Sequence, residues 1–132
     1  MANKTQFMSV LRQVASTVTR SSQDFQNREG HRGIRLYLDI NGVTGTNPTL
    51  DIRLQGKDRV SGNYVNMPGC TFPQKTASHA DTTVSLTVYP GIGETNQETI
   101  SDVLPETWRV TGTIGGTDTP TFNYGISAEL LP

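Results

Sequence analysis

Ile34-Arg35-Leu36-Tyr37-Leu38-Asp39-Ile40 decides the fold, because apolar and polar side chains alternate along it without a break. Successive side chains of an extended chain point to opposite faces, so this stretch has one apolar face and one polar face. The alternation recurs at Leu50/Ile52/Leu54, at Val84/Leu86/Val88, at Trp108/Val110 with Ile114, and at Phe122/Tyr124/Ile126/Ala128/Leu130. Each apolar face needs cover, and a second sheet supplies it. The reading is an all-β chain: an antiparallel β-sandwich, jelly-roll-like, of about seven or eight strands with an N-terminal arm.

Turn residues punctuate these runs. Asn41-Gly42 is a hairpin signal after the first run, and Ser61-Gly62 marks the tip of a hairpin whose return strand is Tyr64–Met67. Pro68-Gly69 and Pro73 reduce Cys70–Phe72 to a short edge piece. Gln74–Thr82 is polar and reads as exposed, and Ile92–Ser101 reads as a long loop. Gly115–Pro120 reads as a short hairpin between strand 107–114 and the last strand.

The N-terminal stretch follows another pattern. Phe7, Val10, Leu11, Val14 and Val18 have helical spacing, while the β-branched run over 14–20 favours a strand. Residues 6–13 therefore fit either a short helix or an extended arm. The domain reading is an arm and first strand over 1–20, then one sandwich domain over 21–132. Phe7, Val10 and Leu11 form an apolar stripe with no core of its own, expected to be mobile in the monomer and ordered on assembly. Phe25 is the one apolar residue of the polar stretch Ser21–Gly33 and would pin it to the body. Tyr37 is out of phase with its apolar neighbours, so it faces outward or lies under the arm. These five residues, Phe7, Val10, Leu11, Phe25 and Tyr37, are the candidate interaction residues.

A length of 132 residues suits one domain, since domains commonly have about 100–150. Eleven basic and twelve acidic residues give a net charge of −1, which argues against a nucleic-acid partner. Cys70 stands alone, so no internal disulfide can form. Lys4 is not followed by the apolar region of a signal peptide, and no apolar run approaches the ~20 residues of a membrane span. The expectation is a soluble protein released or assembled without secretion, with no membrane partner.

Nothing in the sequence spells out a catalytic constellation. His31 and His79 lack metal-ligand spacing, and no G-x-S-x-G elbow is present. Gly115-Gly116-Thr117 lacks the lysine of a phosphate-binding loop, and Cys70 reads as a packed thiol. Trp108, Phe122 and Tyr124 share the apolar phase of their strands, which assigns them to the core rather than to a sugar-stacking strip. The expectation is a non-enzymatic protein with no metal and no cofactor.

A resemblance carries the reading further. The relevant segments are Arg32-Gly33, Thr46-Asn47-Pro48-Thr49-Leu50-Asp51, Gly56-Lys57-Asp58 with Ser61-Gly62 and Tyr64, and Val88-Tyr89-Pro90-Gly91. Asp102-Val103-Leu104-Pro105, Thr107-Trp108-Arg109-Val110 and Thr113 through Phe122 complete the series. In this order they resemble small β-rich virion proteins of tailed bacteriophages, described as head decoration, minor capsid or minor tail proteins. The chain departs from the commonest pattern at Glu29–Arg32 and at Pro105-Glu106, where a basic residue often follows the proline. The resemblance implies a virion structural protein. The favoured expectation is a decoration protein on the outer head surface, a homotrimer contacting the major capsid protein. A tail or head–tail joint component, or a carbohydrate-binding adhesion module, are the alternatives.

Overall fold

The computed structural model describes residues 4–95 and 98–132. Its strands are β1 (Gln6–Ser16), β2 (Arg20–Ser21), β3 (Phe25–Gln26), β4 (Gly33–Lys57), β5 (Tyr64–Thr71), β6 (Thr82–Val88), β7 (Thr99–Ile100) and β8 (Thr107–Leu131). The one helical element among the described residues is a 3-10 turn at Ala77–His79. The chain is all-β, as the alternation requires. One connected sheet holds every strand, in the order β1-β8-β4-β6-β7, with β2 and β3 on β8 and β5 on β4.

Two strands of 25 residues build this sheet. β4 continues as one strand through Asn41-Gly42 and β8 through Gly115–Pro120, each bending there rather than closing the hairpin that the turn residues suggest. The two strands instead pair with each other from Gly33↔Leu131 to Gly56↔Trp108. Register shifts at Ile40/Gly42, Thr44/Thr46 and Thr46/Thr49 interrupt the ladder midway. Left-handed residues cluster there too: Gly45, Asn47, Gly116, Asp118 and Thr119 all have positive φ. Bulges and left-handed residues bend and coil a ribbon without ending it.

That bend turns one sheet into two layers. Ser16 pairs with Phe122, yet Arg20 pairs with Gly112. Four residues of chain reach at most ~14 Å, whereas the ten from Gly112 to Phe122 would cover ~33 Å in a straight strand. β8 must therefore double back. The Tyr124 hydroxyl lies so close to Gly112 that a Cβ there would sit 2.4 Å from it. The first layer comprises β1, the end of β8, the start of β4, β6 and β7. The second comprises β2, β3, the start of β8, the end of β4, and β5.

Between the layers lies the core that the alternation specifies. Ile34, Leu36, Leu38, Ile40, Leu86, Val88, Ile126 and Ala128 come from the first layer. Leu50, Ile52, Leu54, Trp108 and Val110 come from the second, with Phe122 and Tyr124 also buried. Trp108 is 1% exposed. Phe25 stacks on its ring at 4.6 Å and so fixes the stretch Ser21–Gly33 to the body, as expected.

β1 departs from the sequence reading in its burial. It is an edge strand paired to β8 from Gln6↔Leu130 to Ser16↔Phe122, so residues 6–13 take the extended form of the two offered. Val10 and Leu11 are both 92% buried, so they belong to the core rather than to a free stripe. Register shifts between Ser9 and Leu11 and between Leu11 and Val14 explain the misleading spacing. Each extra residue moves the strand's phase by one, and period two then imitates the threes and fours of a helix. Residues 1–3 of the expected arm lie outside the described residues.

Candidate interaction surfaces

The outer face of the first layer is set by the polar phase of the same strands. Phe7, Glu129, Arg35 and Thr87 form one row across β1, β8, β4 and β6. Tyr37 donates its hydroxyl to Glu129, while Arg35 Nη1 lies 3.4 Å from the same carboxylate and Arg35 Nε donates to Thr87 Oγ1 at 3.1 Å. Asp39 accepts from Thr83 Oγ1 at 2.7 Å. Phe7 is 64% exposed and stacks on Tyr37, with centroids 6.1 Å apart. Of the five expected interaction residues, the structure thus brings Phe7 and Tyr37 together on an open face. It buries Val10 and Leu11 in the core, which removes them from any surface, and sets Phe25 half-buried against Trp108.

The second layer's outer face carries a tighter network. The Tyr64 ring lies beneath the Arg109 guanidinium, 3.4 Å from carbon to centroid. Asp24 accepts from Lys57 Nζ at 2.8 Å and from the Tyr64 hydroxyl at 2.5 Å. Arg109 Nε donates to Gln55 at 2.8 Å, and Gln55 donates to Asn66 at 2.8 Å. The hydrogen bonds from Lys57 and Tyr64 hold the Asp24 carboxyl below its ordinary range. This cluster ties the Asp24 loop to β4, β5 and β8. Asp24, Lys57 and Tyr64 bond to one another, which makes the cluster a clamp on that loop.

Both histidines have structural partners. Asn27 brackets His31, donating to its carbonyl at 2.7 Å and accepting from its amide at 2.9 Å, and the buried ring meets the Lys4 carbonyl at 3.2 Å. His79 Nδ1 accepts the Thr76 amide at 3.0 Å, capping the 3-10 turn. Cys70 is buried, and burial pushes its thiol up to about 11, far from a nucleophile's range. Among the described residues no three His, Cys, Asp or Glu side chains converge as a metal site.

A cavity of about 500 Å³ opens beside β6. Phe72, Pro73 and Lys75 line one side, Thr83, Val84, Ser85 and Thr87 the other, and Glu98 and Thr99 the end nearest β7. Lys75 corrects the reading of Gln74–Thr82 as exposed, since it is only 6% exposed. A bridge to Leu50 holds its backbone, with hydrogen bonds of 2.9 and 3.0 Å in the two directions. A lysine between a glutamine and a threonine gives no hint of burial in the sequence. The chain before it keeps to the edge of β4, where the Phe72 amide donates to the Ile52 carbonyl at 3.2 Å, and this path sets Lys75 beside Leu50.

No protein-family model matches the chain, and no curated protein matches it.

Proposed function

We propose that this chain is a non-enzymatic structural protein of a tailed-phage virion, acting as a decoration protein that binds the outer head surface and stabilises it. The observation that carries the reading is the way the sheet meets solvent. Its outer faces carry polar side chains bonded largely to one another, while the outer edge of β1, eleven residues long, has no strand beside it among the described residues. Open edges are docking elements: they add a neighbouring strand or loop through backbone hydrogen bonds. Many copies on a shell turn modest contacts into firm attachment through avidity. The segment series that resembles phage virion proteins points the same way.

The carbohydrate reading has less support. Phe7 is the one large ring well exposed among the described residues. Tyr64 is covered by Arg109, and Arg32 lies over Tyr89 at 5.6 Å, so no strip of open ring faces presents itself to a sugar.

Electron microscopy of particles from the parent virus tests the proposal. The expected result is density for this fold on the head, in trimers at local three-fold positions against the major capsid protein. A ring of six or twelve copies at the tail or the head–tail joint would replace decoration with the joint reading. Particles lacking the protein altogether would overturn the virion role.

A further inference from the structure

β6 is covered along only part of its outer edge. Alternate residues of an antiparallel strand direct their N–H and C=O groups to opposite edges. The Thr87 amide donates to the Glu98 carbonyl at 2.9 Å and the Tyr89 amide to the Ile100 carbonyl at 3.0 Å, both on the side away from β4. The same phase turns the N–H and C=O of Thr83 and Ser85 to that side. β7 pairs only with Thr87 and Val88, and no described residue's backbone takes up the groups of Thr83 and Ser85. Among the described residues, four backbone groups therefore stand open in a row, in line with β7.

The 500 Å³ cavity lies along this open row, and Lys75 faces it across the gap. No described residue forms an ion pair with the Lys75 ammonium or accepts a hydrogen bond from it, although the residue is nine-tenths buried. Glu98 is the cavity's one acidic lining residue, and it is exposed and unpaired with Lys75. An ammonium on a mostly buried side chain with no counter-charge beside it draws an anion. Beneath it, Phe72 gives the cavity an apolar floor.

We propose that this edge takes an extended acidic peptide segment of a partner protein, whose backbone adds to β6 at Thr83 and Ser85 while one carboxylate meets Lys75. Two features select a peptide over a small anion. The open groups have the spacing of a strand, which a second backbone matches, and the apolar floor suits a side chain two residues from the acidic one. The site does not depend on the virion reading, because any acidic strand of suitable phase fits it.

The test is a titration of the ¹⁵N-labelled full chain with the blocked pentapeptide acetyl-Val-Thr-Glu-Thr-Val-amide, and with the same peptide carrying Gln for Glu. The expected result is saturable shifts at the amides of Thr83, Ser85 and Thr99, with the Glu peptide binding at least ten-fold more tightly. Lys75→Met keeps an unbranched apolar side chain and removes the charge, so it should make the two peptides equal. Ser85→Pro removes an outward amide without touching the ladder to β4, and should abolish binding of both. Equal binding of the two peptides to the parent protein, shifts confined to other surfaces, or a ten-fold preference surviving in Lys75→Met would each overturn the proposal. Should Lys75→Met lose its native spectrum, the preference in the parent protein and the Ser85→Pro result decide together.

Discussion

Gly112 and Tyr124 lie in one strand and touch because that strand folds back on itself. A Cβ at position 112 would meet Tyr124 Oη at 2.4 Å and Ile52 Cδ1 at 2.9 Å. The Tyr124 hydroxyl is itself buried with no hydrogen-bond partner among the described residues. Gly112→Ala should therefore destabilise the protein by about 1–3 kcal/mol through overpacking, read as a drop in the urea midpoint. Tyr124→Phe removes an unsatisfied buried hydroxyl and should be neutral or slightly stabilising. Combined with Gly112→Ala it should recover part of the loss, since the closest clash is with the phenol oxygen. A double variant no better than Gly112→Ala would mean the layers do not approach as described. Trp108→Ala should cost about 3–5 kcal/mol and should also free Phe25, its stacking partner. A melting temperature within a degree or two of the parent would contradict that burial.

At the scale of the element, β1 is where pattern and structure part. Period two reads strands well where registers are regular, as in Ile34 through Ile40. It fails where bulges shift the phase, and β1 has two such shifts within eleven residues. The same weakness misjudged the centres of β4 and β8, where turn-forming residues serve a bend. Because Val10 and Leu11 are core residues, Leu11→Asp should expose the sheet and lower stability by several kcal/mol, since it buries an unpaired charge. Loss of residues 1–13 should likewise destabilise the fold and raise binding of a hydrophobic dye. A truncated protein that melts like the full chain would restore the free-arm reading. The clamp between the Asp24 loop and β4 predicts a pH effect. Asp24 is held below its ordinary value of 3.8, so its contribution is present above that value and fades as pH falls through the lower folded value. Lys57 is raised above its ordinary value of 10.5 by the same bond, so its share is present below that value and fades at still higher pH. The melting temperature of Asp24→Asn should therefore lie below the parent's at pH 6 and converge on it toward pH 2. A constant gap across that range would remove Asp24 from the clamp.

For the whole molecule, fold class and core were legible because burial on one face leaves its mark at every second residue. The candidate surfaces were less so. Tyr37 announced itself by its phase and Phe7 as part of a stripe without a core, whereas Lys75 is buried by the path of the chain around it, which no local pattern records. Layering was also hidden, since the bend in the β4–β8 ribbon depends on which strands pair, and that choice is made between residues far apart in sequence. This pairing has a consequence for how the protein comes into being. β8 pairs with β1, β2, β3 and β4, and its ladder with β4 joins residues from about fifty to about a hundred positions apart. Chain closure over such separations is slow, on the order of milliseconds to seconds for all-β domains. During synthesis the apolar faces of β1 and β4 leave the ribosome long before β8 exists to unite them. The sheet can therefore close only once β8 has emerged, and until then the apolar faces of the earlier strands lack the partner that covers them.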